Sequence, residues 1–233
     1  MNTATNPMTT KPGLIKALVR KDLELNAAPL ALYLVVGLIS LWLLTFDSKG
    51  PFYAGSVLLL SMVIVASAHL VINTVTTERD DQTLTFIMSL PITFIQYTHA
   101  KICANLLGFM TFWLIMWAGV MGVIFSQAEI PNGLAVYATI LLLEMLAVFV
   151  LLLGVGLISE SQTWTIVVMS LTNIGLSLFM YWLSSVAAIK SHMDAADPVW
   201  NATAWTIIAA ELAFILLALG LTYYGQSRKR DFL

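Results

Sequence analysis

Six stretches of this chain are apolar for about 20 residues each, the length of helix that crosses a hydrocarbon core of roughly 30 Å. They run Pro29–Phe46, Phe52–Thr77, His99–Phe125, Gly133–Ile158, Trp164–Ala187 and Thr203–Tyr224. The polar breaks between them differ in kind. Asp47–Pro51, Ser126–Asn132 and Ser159–Thr163 are short, and the first is rich in turn formers. Ala188–Ala202 is longer and holds His192, Asp194, Asp197, Pro198 and Trp200. Glu78–Thr98 is long, charged and amphipathic. The pattern predicts an all-α membrane protein of six transmembrane helices.

Ahead of the first span, Gly13–Asn26 reads GLIKALVRKDLELN. On a helical wheel Leu14, Leu18 and Leu25 share a side with Ile15, Val19 and Leu23, while Lys16, Arg20 and Glu24 fall opposite. Asp22 is the one residue that does not fit. A basic amphipathic helix in this position suits the headgroup layer; the alternative is that it extends the first span. The chain thus divides into an amino-terminal part, residues 1–28, carrying this helix, a single six-span domain over 29–225 with its loop at 78–98, and a basic tail at 226–233. The first apolar run starts too far in, and behind too few charges, for a cleaved signal peptide, so the first span is expected to be retained.

Composition agrees with the pattern. The 233 residues are 59% hydrophobic and 10% charged, with a mean hydropathy of +0.88, whereas a soluble domain carries about 25% charged residues. The single cysteine, Cys103, excludes an intramolecular disulfide and reads as a small apolar helix residue. Nothing in the charge pattern calls for nucleic acid as a partner. Of the 11 lysines and arginines, nine fall on the side of the two termini: Lys11, Lys16, Arg20, Lys21, Arg79, Lys101, Arg228, Lys229 and Arg230. Only Lys49 and Lys190 lie on the other. The excess of basic residues on one side predicts cytoplasmic termini, which requires an even number of spans.

That orientation puts the long loop in the cytoplasm. It reads ERDDQTLTFIMSLPITFIQYT and is followed by His99, Ala100 and Lys101. Its acidic opening can cap a helix; Thr83, Leu84, Phe86, Ile87 and Leu90 then form an apolar face, and Pro91 ends it. A helix of this kind, lying along the membrane, offers a surface to a soluble partner. Glu78, Gln82-Thr83-Leu84, Ser89-Leu90-Pro91 and Lys101 resemble the loop of ABC-2 type transport permeases, whose pattern has an acidic residue, a Gly-Thr-Leu step, a Leu-Pro step and a lysine opening the third span. Gln82 departs from it, standing where the family often has glycine. The resemblance implies the permease subunit of a bacterial ATP-binding cassette exporter in the cytoplasmic (inner) membrane, paired with a second copy or a sibling permease. It also implies a separate ATPase subunit that holds ATP and magnesium, so that this chain is a transport subunit, not itself an enzyme, and binds no cofactor. In such a permease the loop forms a coupling helix seated in a cleft of the ATPase. Carried onto this chain, its contacts are Glu78, Arg79, Asp80, Asp81, Thr83, Leu84, Phe86, Ile87, Leu90 and Pro91. Independently of the family, no G-x-x-x-x-G-K-[ST] loop for nucleotide phosphates occurs.

Polar residues inside the spans are the other candidates, because ionisable groups in hydrocarbon cost about 2.5–3.5 kcal/mol on insertion scales. His69 and Asn73 sit one turn apart on the second span, Glu144 near the middle of the fourth, and Glu211 in the outer half of the sixth; Asn105 and Asn173 lie on the third and fifth. Two readings stand open, a polar route for cargo between subunits and interhelical hydrogen bonds that fix packing. A stripe of Phe109, Phe112, Trp113, Met116 and Trp117 likewise reads as a lining for lipophilic cargo or as packing. A proton-coupled secondary transporter could use the two acids, although no inverted repeat is visible. An intramembrane protease fits less well: His69 and Asn73 form an H-x-x-x-N pair, but no G-x-S-type nucleophile stands on another span. The three histidines and one cysteine show no metal-ligand spacing.

Overall fold

The computed structural model describes residues 12–76 and 93–228. Among these residues the only regular structure is helical, and six helices are long and apolar enough to cross a membrane. They are α1 (Pro12–Leu44), α2 (Lys49–Val71), α3 (Phe94–Ser126), α4 (Leu134–Ser159), α5 (Gln162–Ser185) and α6 (Ala202–Ser227). A single helical turn, Ala187–Lys190, stands in the connection before α6. By length and composition this is an all-helical, multi-pass membrane protein. The near end carries the start of α1, the end of α2 with the turn Ile72–Thr76, the start of α3, the connection between α4 and α5, and the end of α6. The far end carries the connections between α1 and α2, α3 and α4, and α5 and α6.

The helix ends follow from local chemistry. Thr93 and Gln96 form a reciprocal capping box, Gln96 N–H donating to Thr93 Oγ1 and Thr93 N–H donating to Gln96 Oε1 at 3.0 Å. This starts α3 at Phe94, five residues before the third apolar stretch, so residues 94–98 belong to the helix and not to the loop. Glu160, at φ 53°, ends α4 in the left-handed region, and Ser161 caps α5 by accepting from Trp164 N–H. Asn201 caps α6 in the same way, accepting from Ala204 N–H at 2.8 Å.

α1 runs without a break through Pro29, so the amphipathic amino-terminal segment and the first span are one helix of 33 residues. At 1.5 Å per residue it is about 50 Å long, more than a bilayer core needs. Proline removes one backbone donor, a loss tolerated in membrane helices when neighbouring helices support the segment. Here α2 and α3 both pack against α1.

α4 is the central helix. It packs on α2, α3, α5 and α6, and 78% of its apolar stretch is buried, against 17% for α1 and 11% each for α5 and α6. The aromatic stripe of α3 is spent on this contact. Phe109 stacks on Phe149 of α4 with ring centroids 4.0 Å apart, Trp113 Nε1–H donates to the Leu142 carbonyl at 2.7 Å, and Trp117 Nε1–H donates to Thr139 Oγ1 at 3.2 Å. Phe109, Phe112, Trp113 and Met116 are all buried. The stripe is therefore packing within the chain, with both indole donors satisfied. On the opposite side of α4, Gly154 lets Thr222 of α6 approach closely, as small residues do at membrane helix contacts.

At the far end the connection before α6 folds over the start of α4. Gly133 N–H donates to the Ala195 carbonyl at 2.9 Å, and Asn201 Nδ2 donates to the Ala188 carbonyl at 2.6 Å. A Cβ on Gly133 would fall on the His192 carbonyl oxygen, while one on Gly220 would meet open space. Gly133→Ala should therefore lower stability by about 1–3 kcal/mol through overpacking. Gly220→Ala, in a helix interior, should raise it by about 0.5–1 kcal/mol. Thermal unfolding in detergent, followed by size-exclusion chromatography, measures both; equal shifts would refute the close approach at Gly133.

Candidate functional site

The residues that lead into and out of segment 77–92 are tied together by a buried polar cluster. From α1 it takes Asp22 and Asn26. From the π-helical turn Ile72–Thr76 that follows α2 it takes Asn73 and Thr74. From α3 it takes Lys101 and Asn105. Lys101 Nζ lies 2.8 Å from Asp22 Oδ2, and the two side chains are 3% and 4% exposed. The Tyr97 ring, one turn before Lys101, stands 5.5 Å from the ammonium, a distance at which a cation is attracted to a ring face. Asn26 Nδ2 donates to the Asp22 carbonyl at 2.8 Å, and Asn73 Nδ2 donates to Asn26 Oδ1 at 2.9 Å. Asn105 Nδ2 donates to the Lys101 carbonyl at 2.9 Å. Thr74 Oγ1 lies within donating distance of the Leu70 carbonyl at 2.6 Å and of Asn105 Oδ1 at 2.9 Å, one proton serving either acceptor.

This is an electrostatic clamp across three helices. Desolvating a carboxylate and an ammonium costs several kcal/mol per ion, recovered only when the ions meet with good geometry and hydrogen-bonded neighbours. The pair meets both conditions. It also gives the π-helical turn a role, since such turns re-aim side chains and concentrate at functional positions. Here the turn faces Asn73 toward α1 and Thr74 toward α3. Lys101 was legible as the lysine of the resemblance, but its partner was not singled out. The signal was present all the same: Asp22 is the one residue that breaks the amphipathic pattern of Gly13–Asn26.

The loop residues Glu78, Arg79, Asp80, Asp81, Thr83, Leu84, Phe86, Ile87, Leu90 and Pro91 lie outside the described residues. The intramembrane candidates are placed as follows. Asn73 and Asn105 belong to the clamp. Asn173 donates to the Met169 carbonyl of its own helix at 2.9 Å. His69, half-buried, meets the Tyr33 ring edge-to-face at 5.6 Å, and its Nε2 has no hydrogen-bond partner among the described residues. His69 and Asn73 are thus engaged separately, one with an aromatic ring and one with Asn26. His99 bridges α3 to α6, with Nδ1 2.9 Å from Tyr223 Oη and Nε2 3.5 Å from Cys103 Sγ.

Glu144 and Glu211 stand on α4 and α6, two helices packed against each other. Both stand about 15 Å from the far end of their helices at 1.5 Å per residue, a depth near the middle of a bilayer core. Glu211 is 6% exposed, and neither of its carboxylate oxygens has a hydrogen-bond partner among the described residues.

The fold and its buried charges thus define a six-span helical membrane protein with a polar clamp joining α1, the turn after α2, and α3. Comparison with protein-family models, with characterised proteins and with solved structures finds no match to this chain.

Asp22→Leu or Lys101→Met alone should cost about 3–5 kcal/mol, because each removes the partner 2.8 Å from a buried charge, and Lys21 at 4.0 Å from Asp22 is a weaker substitute. The double variant Asp22→Leu/Lys101→Met should cost clearly less than the sum of the single losses. Unfolding midpoints of the four proteins in detergent measure this, and strict additivity would disprove the coupling.

Proposed function

We propose that this chain is the permease subunit of an ATP-driven transporter of the ABC-2 type, moving its substrate outward across a bacterial cytoplasmic membrane while a separate ATPase subunit hydrolyses ATP. One observation supports the reading above the others: the Glu78–Pro91 motif lies in the connection whose two ends are joined by the Asp22–Lys101 and Asn73–Asn26 contacts. A load applied by a partner to that segment reaches α2 through Asn73 and Thr74, and α3 through Lys101 and Asn105. It reaches α1 through Asp22 and Asn26. Three helices then move as a unit, which is what alternating exposure of a substrate path asks of the half of the bundle nearest the ATPase. The second permease copy would complete the path, covering apolar faces of α1 and α5 that a single copy leaves exposed, such as Leu32, Leu178 and Tyr181.

The acidic residues of the loop supply the polar part of the ATPase contact in this reading. Replacing Asp80 and Asp81 together by lysine should remove most co-purification of an ABC ATPase encoded beside this chain, and with it the substrate-stimulated ATPase activity in liposomes. Unchanged co-purification and activity would sink the assignment of the loop.

A second reading, proton-coupled secondary transport, draws on Glu144 and Glu211, acids within the packed helices α4 and α6. It requires substrate movement in vesicles under an imposed proton gradient, without an ATPase, and its loss in Glu211→Gln. Transport that needs ATP and survives Glu211→Gln would discard it.

A further inference from the structure

At the far end two cavities adjoin, separated by shared wall residues. The inner one, about 230 Å³, lies among α1 to α5. Its walls include Leu59, Leu60, Val120, Tyr137, Leu141 and Met180, every one buried or half-buried. Its one hydroxyl from α2, Ser56 Oγ, donates to the Phe52 carbonyl of its own helix and so offers nothing to the space. The outer cavity, about 270 Å³, shares Leu44, Phe52, Ile130 and Leu134 with the inner one. Its rim carries Asp47, Lys49 and Glu129, all exposed. None of the three is engaged in an ion pair among the described residues.

We infer that these adjoining cavities together bind a single-chain zwitterionic amphiphile, its tail inside the bundle and its head at the rim. The walls of the inner chamber are almost wholly apolar, Ser56 and Tyr137 bringing its only hydroxyls, and such a space favours hydrocarbon. Along α4 it runs from Leu134 to Leu142, about 12 Å at 1.5 Å per residue. Its volume holds on the order of eight groups the size of a water molecule, enough for one chain and not for two. The rim presents two carboxylates and one ammonium, which suit a head that carries an amine beside a phosphate: the amine meets Asp47 and Glu129, the phosphate meets Lys49. Burial of the tail supplies the affinity, at about 0.8 kcal/mol per methylene, and the rim charges orient the molecule. The site lies within one subunit and needs no ATPase, so it stands apart from the transport reading and extends it only by naming a class of ligand.

Photolabelling tests the site. The full chain is placed in nanodiscs with a lysophosphatidylethanolamine that carries a diazirine near the end of its acyl chain, and adducts are mapped by mass spectrometry. Adducts are expected on Leu60, Tyr137 and Leu141, competed by unlabelled lysophosphatidylethanolamine and not by a fatty acid. Ala138→Trp, which fills the inner chamber, should reduce labelling about tenfold, the equivalent of 1.4 kcal/mol. Lys49→Glu should weaken it severalfold. The exposed position Leu216 provides the control, since Leu216→Trp should leave the label in place. Adducts spread over Leu178 and Leu216 without enrichment in the cavity would overturn the proposal. So would equal labelling of the cavity by a diacyl phosphatidylethanolamine probe, which would make the occupant ordinary bilayer lipid. The wild-type map needs no variant, so a folding defect in Ala138→Trp leaves the test decisive.

Discussion

A lysine placed two turns inside a long apolar helix is stable there only if its charge is met, and in this protein it is met by an aspartate 79 positions earlier in the chain. The rest of the near end depends on that requirement. Because Lys101 must reach Asp22, α1 and α3 are held at a fixed separation and register, and Asn26 then stands where Asn73 can donate to it. Asn105, one turn beyond Lys101, draws in Thr74. The cluster satisfies the polar groups of three helices at the depth where water becomes scarce, and that is the condition for placing them there at all. In exchange it ties α1, the turn after α2, and α3 to one another at the near end of the bundle.

The far end works by a different principle. There α4 is surrounded, α3 lays its aromatic side chains along it, and the connection before α6 closes over its first turn. Hydrocarbon offers no hydrophobic drive between helices, so close packing and a few satisfied donors, such as the Trp113 and Trp117 indoles, must hold the bundle together. Where packing around α4 is incomplete, between α2, α3 and α5, the apolar chamber adjoins the cavity with the charged rim. Buried polar contacts thus mark one end of the bundle and an apolar chamber the other.

Much of this was legible in the chain. Six apolar runs separated by breakers set the number of helices, because a helix is the one open structure that can satisfy its own backbone in a bilayer. The helix ends moved by a few residues where a cap decided them, as at Thr93 and Gln96. Asn73, His69, Glu144 and Glu211 stood out as polar residues in apolar runs, yet their roles did not. Asn73 is a clamp residue and His69 packs on Tyr33, although the two share a helix face one turn apart. The aromatic stripe of α3 could have lined a path or filled a core, and the periodicity is the same for both.

What the sequence determined by itself is therefore what depends on near neighbours along the chain: spans, caps, the charge bias between the two sides, and the motif of the one long charged loop. These follow from length, local hydrogen bonding and transfer free energy, all of which act residue by residue. Only the tertiary structure decided which polar residues meet. Asp22 and Lys101, and Asn26 and Asn73, are brought together by how helices cross, and a pairing across helices leaves no mark at any fixed spacing.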